Sequence, residues 1–155
     1  MSVNKYALIL LLMVVLSFSS GYAQSKKRVL KPSSYDSKMN AHYDFDCLKR
    51  LNGKYPKEAQ LLGNNVLTRH LKVLLKDRFI FLKNTWAVET PIEIKNNIFQ
   101  AWGCQQHNCD QTNFLIVVDL NKNVVYCGIK QNGMIKIFSE DNSYNQELFD
   151  WSNRN

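Results

Sequence analysis

The chain has 155 residues, of which 45% are hydrophobic and 21% charged, and its formal net charge at pH 7 is +7. This length suits one domain with a hydrophobic core. It is too short for two such domains if an N-terminal export signal is removed from the chain. The positive charge predicts attraction to anionic partners. The cations are dispersed and form no recognisable nucleic-acid-binding module, so we expect no nucleic acid partner.

The first residues have the layout of a secretory signal peptide. One cation, Lys5, precedes an apolar run at residues 7–16, and small residues follow up to Ala23. The run is too short to span a bilayer comfortably, although a retained membrane helix is the alternative. We therefore predict a signal peptide over residues 1–23 and a mature chain that begins near Gln24 with a net charge of +6, which is +7 without Lys5. We also predict a periplasmic or secreted location with no stable membrane anchor after cleavage.

Two segments of the mature chain differ in composition. Residues 24–40 are basic and rich in serine with hardly any apolar side chains, which predicts a flexible leader. Residues 41–155 have the apolar periodicity of a single folded domain. Within this domain, Pro56 suits the first turn of one helix, and a second helix begins near Asn65. The apolar face of the second helix consists of Leu67, Leu71, Leu74, Leu75 and Phe79.

After Trp86 the periodicity changes to short strands joined by tight turns. Asn and Gly at these turns tolerate the positive φ that hairpins often need. Five strands are predicted, with the sequences IEI, IFQAW, NFLIVVDL, VVYCGIK and MIKIFS. The predicted fold class is therefore α+β, an antiparallel meander sheet of about five strands with the N-terminal helices packed on one face.

Two further features of the sheet follow from the sequence. The segment Phe114–Val118 is apolar at every position, which predicts a central strand covered on both faces. Near the C-terminus, Ser143 is expected to cap a short helix that lies over the edge of the sheet. The apolar side chains of that helix are Leu148, Phe149 and Trp151.

Four cysteines are present in a chain that we expect to be exported. An oxidising compartment favours disulfides over free thiols. Cys104 and Cys109 bound the run CQQHNC and are the obvious pair. Cys47 and Cys127 either pair with each other or remain reduced thiols, and the sequence leaves both alternatives open.

The run CQQHNC contains residue types that bind metals or catalyse reactions. A closed zinc site needs four ligands, and no histidine or cysteine stands at a suitable spacing to complete Cys104, His107 and Cys109. A cysteine nucleophile with His107 as its base needs a free thiolate, which a neighbouring cysteine removes by forming a disulfide. We therefore predict no metal, no cofactor and no catalytic residue in this run.

The remaining interpretation is a disulfide-closed binding loop. Closure of the ring restricts the unfolded chain by about 2 kcal/mol, and its larger effect is to hold the loop in few conformations. A preordered loop loses less entropy when it docks, and His107 at its tip would meet a concave site rich in carboxylates. On the residues alone, a tied-off hairpin loop with a solvated histidine is the favoured interpretation, and the binding loop is the alternative. The predicted target-binding loop consists of Cys104, Gln105, Gln106, His107, Asn108 and Cys109.

Together, Thr90-Pro91, the hairpin that ends at Trp102-Gly103, the CQQHNC loop and the strands FLIVVDL and VVYCGIK resemble the inhibitor of vertebrate lysozyme family, Ivy. The resemblance covers residues 86–130, and the loop is its specific part. Members have a disulfide-closed Cys-Lys-Pro-His-Asp-Cys loop, whose histidine enters the lysozyme cleft. His107 matches that histidine. Gln105 and Gln106 replace Lys-Pro, which removes a proline that would stiffen the loop. Asn108 replaces the aspartate and keeps a hydrogen-bonding side chain without the charge.

The resemblance implies a non-enzymatic, exported protein with a lysozyme-type glycoside hydrolase as its partner, and it leaves a homodimer open. A rival hypothesis is a cell-envelope binding module that uses its basic surface and has no enzyme target. A third is an enzyme that uses the carboxylate pairs Asp44 with Asp46 or Glu140 with Asp141, although nothing in the sequence places these around a cleft. Because animal lysozymes are commonly basic, an inhibitor with a charge of +6 would approach against repulsion. Either that charge lies away from the loop, or the target is another carboxylate-lined enzyme.

Overall fold

The structure is a computed structural model that describes residues 45–154. The predicted signal peptide (residues 1–23) and the predicted leader (residues 24–40) lie outside the described residues, as do residues 41–44 and Asn155. Within the described part, no helix has the length and apolar character needed to cross a membrane.

The described chain begins with a 3₁₀ helix, Phe45–Leu51, and continues into a series of turns. The helix expected to start at Pro56 is not formed. The amide of Leu61 donates to the carbonyl of Pro56, five residues back, and Gln60 has a φ of 49°. A positive φ interrupts the α-helical hydrogen-bond series, so the segment remains a set of tight turns.

The predicted amphipathic helix is two helices, α1 (Val66–Leu75) and α2 (Arg78–Thr85). The start near Asn65 is confirmed, because its side-chain oxygen accepts a 2.9 Å hydrogen bond from the amide of Thr68 and so caps α1. The break was not predicted. It occurs at Lys76, where φ is 51°.

Six strands form one antiparallel sheet. The five predicted strands are confirmed, and the additional strand is a two-residue segment next to the loop. Their bounds are β1 (Val88–Glu89), β2 (Glu93–Lys95), β3 (Ile98–Cys104), β4 (Asn113–Asp119), β5 (Val124–Gln131) and β6 (Met134–Ser139). Strands β3 to β6 follow one another as a meander, and both β1 and β2 pair with the outer edge of β3.

Positive φ angles at asparagine and glycine make the hairpin turns. Asn96 and Asn97 have φ of 52° and 60° between β2 and β3, and Asn132 and Gly133 have φ of 51° and 78° between β5 and β6. Two consecutive positive values are the pattern of a type I′ turn, whose twist matches that of the strands. The turn prediction is therefore confirmed, and these turns fix the register of the sheet.

Strand β4 is buried at every position, as predicted. Alternate side chains face opposite sides of the sheet. Phe114, Ile116 and Val118 pack into a cluster with apolar residues of α1 and α2, whereas Leu115 and Val117 pack with Leu148 and Trp151 of a C-terminal helix.

That C-terminal helix is α3 (Gln146–Arg154). Two details of its prediction were wrong. Its first turn is capped by Asn145, whose side chain accepts from the amide of Leu148 at 3.0 Å, and Ser143 instead bonds Tyr126 and Asp141. Its position is over the second face of the sheet instead of over an edge, because Leu148 and Trp151 insert above the glycine at position 128.

Candidate functional site

The predicted loop connects the ends of two central strands. β3 ends at Cys104 and β4 begins at Asn113, and a disulfide joins Cys104 to Cys109 with a Cα–Cα distance of 5.0 Å. Cys104 is fully buried within the sheet, whereas Gln105 and Gln106 are exposed. One end of the ring is thus fixed in the core, and its middle faces solvent.

Asn108 is the centre of the hydrogen bonds inside the ring. Its backbone amide donates to the carbonyl of Gln105 at 3.1 Å, and its side-chain amide donates to Oε1 of the same glutamine at 2.8 Å. Its carbonyl accepts from the amide of Thr112 at 2.8 Å. The side-chain amide of Asn108 therefore orders the loop together with the disulfide.

His107 lies at the tip of the ring. Its side chain is exposed, its φ is 60°, and it makes no hydrogen bond or ion pair with any other residue between positions 45 and 154. A non-glycine residue with positive φ is uncommon and is held there by its surroundings. The ring thus presents an imidazole whose two nitrogens are open to an incoming partner.

Asn113 supports the base of the loop, a role that sequence reasoning missed. The residue is 1% exposed. Its side-chain amide donates to the carbonyl of Cys109 at 2.7 Å, and its side-chain oxygen accepts from the indole nitrogen of Trp151 at 3.0 Å. The signal in the sequence is a polar residue at the start of an otherwise apolar strand, where a buried amide needs partners.

Trp86 packs beside the loop on the helical face of the sheet. Its ring stacks on Phe114 at a centroid distance of 5.9 Å and covers Gly103, where an added Cβ would lie 2.1 Å from the indole. The indole nitrogen donates to Glu89 at 3.0 Å. The next residue in the chain, Ala87, donates its amide to the carbonyl of Cys104 at 3.0 Å. The start of β1 is therefore tied to the base of the ring.

The remaining two cysteines are separate free thiols. Cys47 is exposed, and Cys127 is completely buried in β5. The sequence left open a disulfide between these two cysteines or two reduced thiols. In the structure both thiols are reduced, and no disulfide joins them. Burial without a charged partner raises the pKa of the Cys127 thiol, so this group remains protonated.

The carboxylates that were considered as catalytic pairs form hydrogen bonds or ion pairs within the fold, where they fall among residues 45–154. Glu140 contacts the imidazole of His70 at 2.6 Å and accepts the amide of Val125 at 2.8 Å. Asp141 accepts hydrogen bonds from the amide of Ser143 and the hydroxyl of Ser139, which lower the pKa of its carboxyl group. Asp46 pairs with Lys49, and Asp44 lies outside the described residues. Between residues 45 and 154, no group of three or more His, Cys, Asp or Glu side chains is arranged to hold a metal ion.

The positive charge is distributed unevenly along the sequence. Residues 45–154 contain 14 Lys and Arg and 11 Asp and Glu, so their net charge is +3, which is half of the +6 predicted for the mature chain. The loop itself contains no lysine or arginine, and an aspartate, Asp110, follows it directly. A basic target would therefore meet little positive charge at the loop itself.

Comparison with known proteins gave one result. The family model described as inhibitor of vertebrate lysozyme (Ivy) matches residues 66–154, more than half of the 155-residue chain. Neither the search of curated proteins nor the search of solved structures gave a match. The matched segment includes the three α-helices and six strands of residues 45–154 and the disulfide-closed loop.

Proposed function

Since the chain belongs to the inhibitor of vertebrate lysozyme family, we propose that it inhibits its target by inserting the ring Cys104–Cys109 into a carboxylate-lined active site. The ring is closed by a disulfide, ordered by Asn108 and supported from below by Asn113. The observation that carries the proposal is the exposed His107 at the tip of this ordered ring.

The chemistry of the target explains why a histidine suits this position. Muramidases cleave glycans with a pair of carboxyl groups, of which one is a protonated acid and the other is ionised. An imidazole N–H placed between them donates a hydrogen bond to the ionised carboxylate and occupies the place of the sugar. Because the ring is ordered before binding, less conformational entropy is lost on insertion, and more of the contact energy remains as affinity.

Two further parts of the proposal follow from the same evidence. An inhibitor of an extracellular enzyme must be exported, and the sequence of residues 1–23 has the layout of an export signal. The role proposed for the loop is binding without turnover, because a ring whose sulfurs are bonded to each other offers no thiolate nucleophile.

The test is inhibition of a panel of animal, phage and bacterial lysozymes by the wild type, by His107→Ala and by His107→Asn. Asparagine tolerates the positive φ at this position, so His107→Asn removes the imidazole with least disturbance of the ring. We expect both variants to weaken inhibition by roughly thirtyfold or more, as for a residue central to an interface. Their thermal unfolding midpoints should stay close to that of the wild type.

Lys95→Ala is the matched control, because Lys95 is exposed on β2, which pairs with the end of β3 that lies farthest from the ring. A loss of inhibition that only follows a loss of folding would contradict the role of His107. Absence of inhibition across the whole panel by the wild type would contradict the proposed function itself.

A further inference from the structure

A cleft of about 510 Å³ lies directly beside the ring. Its lining comes from the turn segment 56–63, from Trp86 and its neighbours, and from Gln106 of the ring. The residues that line it are Pro56, Lys57, Gln60, Leu61, Leu62, Gly63, Lys83, Trp86, Ala87, Glu89 and Gln106. The exposed tip and the cleft are thus parts of one continuous surface.

The charged groups in the cleft differ in whether they already have a bonding partner within the protein. Both oxygens of Glu89 accept hydrogen bonds, one from the backbone amide of Lys57 at 2.8 Å and one from the indole of Trp86 at 3.0 Å. The ammonium groups of Lys57 and Lys83 are exposed and form no ion pair with other residues of the described segment 45–154. The cleft therefore presents two available cations together with the apolar side chains of Leu62 and Trp86, and its single carboxylate is already engaged.

We propose that this cleft of the inhibitor binds one edge of the target enzyme's active-site groove, here called the lip, when the ring is inserted. The lip carries at least one carboxylate. This inference rests on the proposed function, since it concerns the same encounter. A loop that enters a groove brings the surface at its own base against the rim of that groove. The rim is convex at the place where the inhibitor is concave, so the two shapes interlock.

The side chains that line the cleft determine which kind of lip can bind there. Lys57 and Lys83 favour a carboxylate, Leu62 and Trp86 favour apolar side chains, and Gln60 and Gln106 offer amide groups at the rim. A binding partner held by the ring alone would contact only the few exposed residues of the tip. The cleft adds a second contact area, which distinguishes lysozymes that have a suitable lip from those that lack one.

The experiment measures association and dissociation rates of an inhibited lysozyme with the wild type and with three cleft variants, Lys57→Glu, Lys83→Glu and Ala87→Tyr. Lys95→Glu is the control for the charge change, since Lys95 is exposed on β2 and does not line the cleft. Val73→Tyr is the control for an added ring, since Val73 is 64% exposed on α1. We expect the cleft variants to dissociate about tenfold faster or more, while the controls stay within about twofold of the wild type.

Each outcome bears on the proposal. If His107→Ala abolishes inhibition but the cleft variants behave like their controls, the lip proposal is wrong and the proposed function stands. If the wild type inhibits no lysozyme, both are wrong. If the cleft binds a chito-oligosaccharide in the absence of enzyme and the cleft variants lose that binding while they keep normal lysozyme kinetics, the cleft is a glycan site and the lip proposal is overturned.

Discussion

The side-chain amide of Asn113 donates a 2.7 Å hydrogen bond to the backbone carbonyl of Cys109. Through its oxygen the same side chain accepts the indole N–H of Trp151 at 3.0 Å. One buried amide thus connects the disulfide ring, the first residue of β4 and the helix α3 on the far side of the sheet.

Substitution Asn113→Ala removes both bonds and leaves a buried indole N–H without that acceptor. We expect the free energy of unfolding to fall by about 2 kcal/mol. Inhibition should weaken as well, because the base of the ring loses its support. Denaturant titration and an inhibition assay measure the two effects. Trp151→Phe is the control, since it removes the indole donor and leaves the bond to Cys109. Equal inhibition by the alanine variant and the wild type would show that the bond does not order the loop.

Substitution Gly103→Ala tests the packing of Trp86. The new methyl group would lie 2.1 Å from the indole, so the ring must move off Phe114 or the strand must shift. We expect a loss of about 1 to 3 kcal/mol of stability, as for other overpacked cores. In the double variant with Trp86→Ala, the loss of stability should be smaller than the sum of the losses in the two single variants. Strict additivity would show that the two residues do not interact.

Replacement of Cys104 and Cys109 by alanine tests what the ring closure contributes. Entropic closure of so short a loop is worth about 2 kcal/mol, so the domain should remain folded. Inhibition should weaken by a larger free energy than folding does, because the open loop must be ordered during binding. The hydrogen bonds of Asn108 retain part of the loop's shape. Circular dichroism and the inhibition constant are the measurements. An open loop that inhibits like the wild type would count against preordering.

The two free cysteines should differ in reactivity. At mildly alkaline pH the exposed Cys47 reacts with a thiol reagent, whereas Cys127 does not, because it is buried and its raised pKa keeps the thiol protonated. We expect one reactive thiol per native molecule and two after unfolding without reductant. In Cys47→Ser the native protein should show none. A native count of zero in the wild type would indicate that Cys47 is oxidised.

Removal of residues 24–40 tests the rival role of a basic envelope-binding module. This segment carries five Lys or Arg and one Asp, so its deletion lowers the predicted mature charge from +6 to +2. Lysozyme inhibition should persist, and it should persist at high salt, because insertion of an ordered loop depends less on screened charges. Adsorption to anionic envelope material should fall. Inhibition that disappears with the segment would favour a charge-driven interaction over the loop.

Much of the sheet could be predicted because its signals are local. Asn96-Asn97 and Asn132-Gly133 suit the positive φ of type I′ turns, and the unbroken apolar run of β4 requires cover on both faces. The helix cap at Asn65 is likewise a property of a few adjacent residues. The signal for each of these features lies in a few adjacent residues, although the helices that cover β4 are distant in sequence.

Features set by distant partners could not be predicted. The hydrogen bond between Trp151 and Asn113 spans 38 residues, and no periodicity in the sequence indicates it. The break at Lys76 was also missed, because apolar spacing continues through it to Phe79 and the pattern therefore suggested one helix. The position of Trp86 over Gly103 depends on the pairing of β1 with β3. For the loop, the sequence indicated its boundaries and the residue at its tip, whereas its internal bonds required the packed structure.

The amide of Asn113 also makes the ring and helix α3 members of one thermodynamic unit. Because one side chain bonds both, we expect a restraint on the ring to restrain the helix, and by linkage the reverse holds with equal free energy. If an enzyme binds the tip as proposed, amide hydrogen exchange in α3 should slow, although α3 packs on the face of the sheet opposite α1 and α2. Conversely, fraying of that helix would be felt as lower affinity at the tip.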